Sequence, residues 1–224
     1  MRGVRADASV TPDTLATPGR LLTMGDAGIL VVLRGNSGSG KSTVARMVQQ
    51  RFDRGTCLIV EQDRVRREML RERDVAGALN IHLIEAIATW GLDRGLVVVV
   101  DGILNRSRYQ RMLERLRDRS SSAHFFAWDL EFAETVRRHG QRPQRTVFTA
   151  EDMAPWYHGW NPLDFVEETK FDAKTTAAAA LECIATAIAA DSRVRAPDHD
   201  AAVRPAPRLR ESAPGGRGAS EGGG

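Results

Sequence analysis

The chain has 224 residues, a formal charge of +3, and a composition of 42% apolar, 27% charged and 6% aromatic residues. That length accommodates one well-packed α/β domain with tails, and the balance is that of a globular protein. No apolar run approaches the ~20 residues that span a bilayer and no signal-peptide core is present, so the sequence predicts a cytoplasmic protein without membrane contact.

Residues 1–27 are rich in Pro, Thr, Asp and Gly and lack apolar periodicity, so they read as a disordered extension. Asp7 and Asp13 argue against a transit peptide, and Met24 is a candidate for the biological start. A domain is expected over 28–190. From about Asp191 the chain turns Arg-, Ala-, Pro- and Gly-rich and reads as a disordered tail, too poor in apolar surface to offset ordering entropy.

Between the tails, strands alternate with helices. Ile29–Leu33 is an apolar run that ends in a Gly-rich loop, and Val44, Met47, Val48 and Phe52 then recur at helical spacing. Cys57–Val60 is a second strand, followed by a charged helix over Arg64–Arg73. Leu79, Leu83, Ile87 and Trp90 mark another helix. Leu96–Val100 is the third strand, and Tyr109, Met112, Leu113 and Leu116 mark a helix with a basic outer face. His124–Trp128 is the fourth strand, and Phe132 and Val136 begin a further helix. Val166–Phe171 is a candidate fifth strand, and Thr176–Ala190 an Ala-rich closing helix. The alternation predicts an α/β, three-layer fold: a mostly parallel five-stranded sheet with helices on both faces. Ligands of such sheets bind beyond the carboxyl ends of the strands.

Cys57 and Cys183 both lie in apolar segments without metal-ligand spacing and read as small buried hydrophobes. The cation excess is carried by 29 Arg against 3 Lys, so the placement of Lys41 is notable.

Gly35, Asn36, Ser37, Gly38, Ser39, Gly40, Lys41, Ser42 and Thr43 fit G-x-x-x-x-G-K-[ST] in full, with a strand before and a helix after. Glycines let the backbone curl into a nest of N–H groups for an anion, and the helix adds the positive end of its dipole. Lys41 is expected to bridge the β- and γ-phosphates of ATP, and Ser42 to ligate Mg²⁺.

Two acids end strands on the same side. Asp63 follows the second strand and is a candidate base for an acceptor hydroxyl, with helix capping as the plain alternative; Glu61 is a weaker candidate. Arg64, Arg66 and Arg67 follow it, and for each alone a solvated helix face is the default reading. Asp101 ends the run Val97–Val100 as a Walker B acid would and is expected on the metal side; its alternative is to satisfy the turn at Gly102. Asn105 and Arg106 lie just beyond.

After the fourth strand, Arg137, Arg138, Arg142 and Arg145 surround Gly140 and Pro143. They predict an Arg-rich lid, with Arg138 and Arg142 one helical turn apart and able to converge on one phosphate. Trp156 and Trp160 follow, with core packing as their default role. His139 and His158 lack metal-ligand partners in sequence. Thr169-Lys170-Phe171-Asp172 matches a guanine-reading form, but Asp101 is followed by Gly102-Ile103-Leu104 rather than D-x-x-G, which argues against a GTPase switch.

The set GNSGSGKST, EQDRVRREML, VVVVDGIL and ETVRRHGQRP resembles the small P-loop kinases of the zeta-toxin-like group, often labelled AAA family ATPases. It is similar also to the chloramphenicol phosphotransferase and polynucleotide kinase families. The resemblance covers about Ile29 to Ala189. It implies Lys41 and Ser42 as nucleotide and magnesium ligands, Asp63 as acceptor base, Asp101 at the Walker B position, and Arg138 and Arg142 as lid arginines. The expected activity is transfer of the γ-phosphate of ATP to a hydroxyl of a small molecule that is antibiotic-, sugar- or nucleoside-like. Two alternatives stand beside it. One is a polynucleotide end kinase, supported by Arg106, Arg108, Arg111, Arg115 and Arg119. The other is a nucleotide-gated regulatory ATPase or GTPase without an acceptor.

Overall fold

The computed structural model describes residues 27–140 and 149–191. The expectations for residues 1–26, for Arg142, Pro143 and Arg145, and for the tail beyond residue 191 lie outside the described residues.

Five strands, β1 (Ile29–Gly35), β2 (Cys57–Glu61), β3 (Val97–Gly102), β4 (Ser122–Trp128) and β5 (Thr169–Phe171), form one sheet in the order β2-β3-β1-β4-β5. Every pairing among them is parallel. The helices are α1 (Lys41–Gln49), α2 (Leu79–Leu92), α3 (Arg106–Arg119), α4 (Phe132–Gly140), α5 (Ala150–Met153) and α6 (Ala177–Ala190).

Continuous apolar runs serve a sheet that is covered on both faces, because successive side chains point to opposite sides. Leu30 and Val32 of β1 join Val98 and Val100 of β3 in a core with α2 and α3. Ile29, Val31 and Leu33 join Val97 and Val99 in a second core with α1 and α6. This parity positions the site. Asp101 shares the odd-numbered face of Val97 and Val99, the face covered by α1. Gln62, one residue beyond β2, falls on the face of Val60 and meets Tyr109 of α3.

From β1 the chain crosses to β2 on one side of the sheet, and from β3 it crosses back over β1 to β4 on the other. The carboxyl ends of β1 and β3 therefore flank a topological switch point, where a crevice opens. The register Leu33↔Asp101 and Arg34↔Gly102 places the end of β3 directly beside the start of the Gly-rich loop.

Several local expectations differ from the fold. The charged helix predicted over 64–73 is a single π-helical turn, Arg64–Met69, in which only Val65 is buried and Leu70 N–H reaches back to Val65 O at 3.1 Å. Arg71 then adopts a left-handed conformation (φ 51) and turns the chain away. Glu72 leaves the helix altogether and caps α2, accepting from Leu79 N and Asn80 N at 2.8 Å each. On α2, Leu79 and Trp90 are 66% and 52% exposed, while Ile81, Ile84, Ala88 and Leu92 fill the core and Leu83 and Ile87 pack against its edge. Cys57 is buried, and burial pushes its thiol up to about 12, but Cys183 is exposed. No described helix is long and apolar enough to cross a membrane.

Candidate active site

The Gly-rich loop leaves β1 through Gly35 and passes through Gly38 and Gly40, all at positive φ (143, 83 and 104). Such angles are costly for residues that carry a Cβ. At Gly38 space is limiting as well: a Cβ there would lie 2.6 Å from the Thr135 carbonyl oxygen of α4. Gly40 ends the loop, and its carbonyl accepts from Thr43 N and Val44 N, opening α1. Lys41 is buried, and its Nζ donates to Asn36 O at 3.0 Å and Ser39 Oγ at 3.2 Å. The ammonium thus lies folded into the loop whose backbone it spans.

Asp101 is buried beside it. Desolvation raises its carboxyl above the usual carboxylate range; the Lys41 charge and a hydrogen bond with the Ser42 side chain pull the other way, and the charges of Glu61 and Asp63 add to the rise. Its Oδ1 is buried without a hydrogen-bond partner, so the carboxylate is not consumed by the turn at Gly102. A left-handed glycine loop, an ammonium, a hydroxyl and an orphaned carboxylate oxygen together form a donor set suited to a polyphosphate with its divalent cation.

Asp63 lies at the end of β2. It starts the π turn with helical angles and makes no capping bond, so the capping role is excluded. Its Oδ1 accepts from Arg66 Nη2 at 2.9 Å and Arg67 Nε at 3.1 Å, and its side chain is 59% exposed. Arg66 is drawn in from solvent, whereas Arg64 and Arg67 remain exposed, as a solvated face would have them. Glu61 pairs with Arg46 of α1 at 2.9 Å.

The expected arginine at the loop is Arg138 of α4. Its Nη1 donates to Ser39 O at 3.1 Å, its Nη2 to Ala173 O at 2.8 Å, and its Nε to Glu134 at 2.6 Å. Arg137 and Arg138 hold Glu134 down at about 2. Arg138 thus fastens α4 and the segment after β5 to the phosphate loop.

The segment after α5 closes the other side. Asn36 clasps it twice: Oδ1 accepts from His158 N at 3.0 Å, and Nδ2 donates to Gly159 O at 3.4 Å. Two arginines reach it from across the crevice. Arg67 lies over the Trp156 ring at 4.8 Å, and Arg108 of α3 meets His158 Nε2 at 3.2 Å while pairing with Asp74. Burial and the Arg108 charge hold His158 below the usual imidazole range. Trp160 is 41% exposed and carries Lys170 over its ring. Both tryptophans contact cations, where sequence suggested plain core packing. Asn105 caps α3 through Ser107 N, and Arg106 pairs with Asp164.

Two buried arrangements escaped sequence reading. The side chains of Arg34 and Glu168, 4% and 1% exposed, meet at 2.6 Å, and Arg34 also donates to Leu104 O and Asn161 O. Behind Asp63, the Tyr109 hydroxyl lies among Gln62 Nε2, Asp74 Oδ1 and Asn80 Oδ1 at 2.7–3.0 Å. Burial and Asp74 raise that phenol above its usual range.

Asp172 accepts from Lys174 N, Thr175 N and the Thr175 hydroxyl, and Lys170 pairs with Asp129; the guanine-reading resemblance is spent on a local turn. On α3, Arg106, Arg108, Arg115 and Arg119 each hold an acidic partner, so its basic face is largely neutralised. Among the described residues, no cluster of His, Cys, Asp and Glu forms a metal site of its own.

In fold, the chain resembles the Mycobacterium tuberculosis APS kinase solved in complex with AMPPNP and APS: TM-score 0.55, 17% identity, covering 74% of this chain and 99% of that one. It likewise resembles a candidate kinase from Chloroflexus aurantiacus, with TM-score 0.56 and 12% identity over 74% of this chain and 98% of that one. A gluconokinase from Sinorhizobium meliloti matches at TM-score 0.47 and 19% identity over 75% and 99%. No curated protein matches the sequence. The fold is that of the P-loop kinases. A family model described as an AAA domain matches residues 30–155, more than half of the sequence, and the chain belongs to that family.

Proposed function

We propose that the protein is an ATP-dependent phosphotransferase that moves the γ-phosphate onto an alcohol group of a small acceptor. The observation that carries this reading is the juxtaposition of the Gly35–Thr43 loop, the orphaned Asp101 oxygen beside Ser42, and the Asp63 carboxylate at the adjoining strand end. Backbone N–H groups of the loop bind the β- and γ-phosphates, and the α1 dipole adds to their hold. Lys41 turns from Asn36 O and Ser39 Oγ to the terminal oxygens. Ser42 and Asp101 would hold Mg²⁺, which would supply positive charge to the polyphosphate.

Asp63 orients the acceptor hydroxyl. The acceptor's hydroxyl oxygen forms the new P–O bond, the bond to the departing ADP breaks, and the hydroxyl proton passes to the Asp63 carboxylate. Arg138, tied to Ser39 O, braces the loop and places a guanidinium next to the charge that spreads over the moving group. Arg142 is proposed to act with it. The acceptor class is antibiotic-, sugar- or nucleoside-like.

The test is a screen of hydroxyl compounds with labelled ATP and Mg²⁺, comparing wild type, Lys41→Ala and Asp63→Asn. The reading expects Lys41→Ala to lose ATP binding, and Asp63→Asn to bind ATP but transfer nothing. ATP hydrolysis indifferent to every hydroxyl compound and unchanged in Asp63→Asn would replace it with a regulatory ATPase.

A further inference from the structure

Six large apolar side chains are exposed among the described residues, and five of them, Met69, Leu70, Val75, Leu79 and Trp90, fall within residues 69–90. Single exposed apolar residues are ordinary, but a gathered set of them marks an interaction surface. On α2 the set is regular. Ala86 is exposed, Leu83 is half-buried, and residues 79, 83, 86 and 90 follow one another at steps of four, three and four. That is the spacing of a seam where one helix meets another. The opposite side of α2 already places Ile81, Ile84, Ala88 and Leu92 in the core. Its 14 residues thus carry two apolar faces, and a helix of that kind packs on both.

The order of the stripe says what covers it. Steps of four, three and four read the same from either end. A second α2 running the opposite way therefore sets Leu79 against the partner's Trp90 and Leu83 against the partner's Ala86, so that large meets small near the middle. Each contact occurs twice, as a twofold interface requires. The charges at the two ends agree. Arg73, exposed just before α2, makes no ion pair among the described residues. The helix ends at Asp93 with no basic residue in its last turn. Opposed helices bring Arg73 of each copy toward the carboxyl end of the other, where the dipole is negative. Arg94 lies over the Trp90 ring at 4.1 Å within one copy, yet the side chain remains half exposed. Glu72 fastens the segment that carries Met69, Leu70 and Val75 to the start of α2, and this widens the surface beyond the ~21 Å of the helix. We infer that the protein forms a twofold dimer in which α2 of one copy packs antiparallel on α2 of the other.

The experiment is sedimentation equilibrium of the full chain, without ligand, at loadings of about 1 to 100 μM. The expected result is a reversible monomer–dimer equilibrium. Ala86→Arg puts a guanidinium on the seam and should weaken association about tenfold or more. Leu79→Ser should weaken it as well. Thr186→Arg, on the exposed face of α6 across the sheet, should leave it unchanged. Leu79→Lys and Trp90→Glu should each weaken the dimer, and the two combined in one chain should recover part of the loss, because the antiparallel register sets one position against the other. Thermal melts show which variants are folded, and the separate seam variants guard against loss of one. A monomer at every loading, whether its α2 face is bare or covered by the chain's own termini, overturns the inference. So does a dimer that Ala86→Arg and Leu79→Ser leave intact. Association no stronger in the combined variant than in the weaker single one overturns the antiparallel register.

Discussion

Arg34 and Glu168 lie 134 residues apart in sequence and meet as an ion pair closed to solvent, with Arg34 Nη1 2.6 and 2.7 Å from the two carboxylate oxygens. Arg34 is the residue before the phosphate loop, and its other donors hold Leu104 O after β3 and Asn161 O before β5. One side chain thereby ties three crevice walls to the end of β1. Removing one partner of such a pair leaves an uncompensated buried charge. Glu168→Ala should cost about 3–5 kcal/mol of stability, measured by urea denaturation, with Glu168→Gln as the milder variant. A loss within about 0.5 kcal/mol, the scale of an ordinary surface substitution, would deny the pair its structural role.

At Gly38 two constraints coincide, a left-handed backbone and the Thr135 carbonyl 2.6 Å from where a Cβ would stand. Gly38→Ala should destabilise the protein by about 1–3 kcal/mol and weaken binding of a fluorescent ATP analogue, because α4 is pushed off the loop. Gly40 has nothing near its missing Cβ. Gly40→Ala should therefore carry only the backbone cost, about 1–2 kcal/mol.

Asp101 sets stability against function. Burial raises its carboxyl, so the folded chain binds the proton more tightly than the unfolded one. Stability from this group is therefore highest at acid pH and falls as pH rises from the ordinary carboxylate value through the raised one. Asp101→Asn should remove that fall and raise stability at neutral pH without nucleotide, while weakening Mg-ATP binding. Denaturation midpoints of both forms across pH test the first part, and calorimetric titration with Mg-ATP tests the second.

The loop was legible because its chemistry is local. Gly35, Gly38 and Gly40 need their positive φ within one turn, and Lys41 with Ser42 follows in fixed spacing. Asp101 was legible because four valines on a doubly covered strand end at an acid, and strand parity then puts that acid on the α1 face. β1 to β4 were readable from the same apolar runs, whereas β5 is only Thr169–Phe171, shorter than the strand expected over 166–171, and two of its three residues are exposed. Beyond that, sequence carried less. The partners of Arg34, Tyr109 and Arg67 come from distant segments that only the strand order β2-β3-β1-β4-β5 brings together. The charged residues over 64–73 suit a longer helix than the turn over 64–69 that forms, in which Val65 alone is buried. Leu79 and Trp90 fit a helical period but stand on its exposed side, since apolar character alone does not fix which stripe faces the sheet.

Behind Asp63, Tyr109 joins Gln62, Asp74 and Asn80 through one hydroxyl. Tyr109→Phe leaves these buried groups short of a partner and should cost about 1–3 kcal/mol, read from denaturation. Gln62 adjoins Asp63 in the chain, so the variant should also lower turnover while leaving AMPPNP affinity within about twofold of wild type, a shift of only ~0.4 kcal/mol. Unchanged stability would show that the hydroxyl is dispensable to the cluster.

The most direct measurement of the central claim is a crystal structure of the protein with Mg-AMPPNP. The account predicts the triphosphate inside the Gly35–Thr43 loop, Lys41 turned from Asn36 O to its terminal oxygens, Asp101 on the metal side, and the Asp63 carboxylate facing the γ-phosphorus. A loop left empty at saturating nucleotide, or Asp63 directed away from that phosphorus, would contradict it.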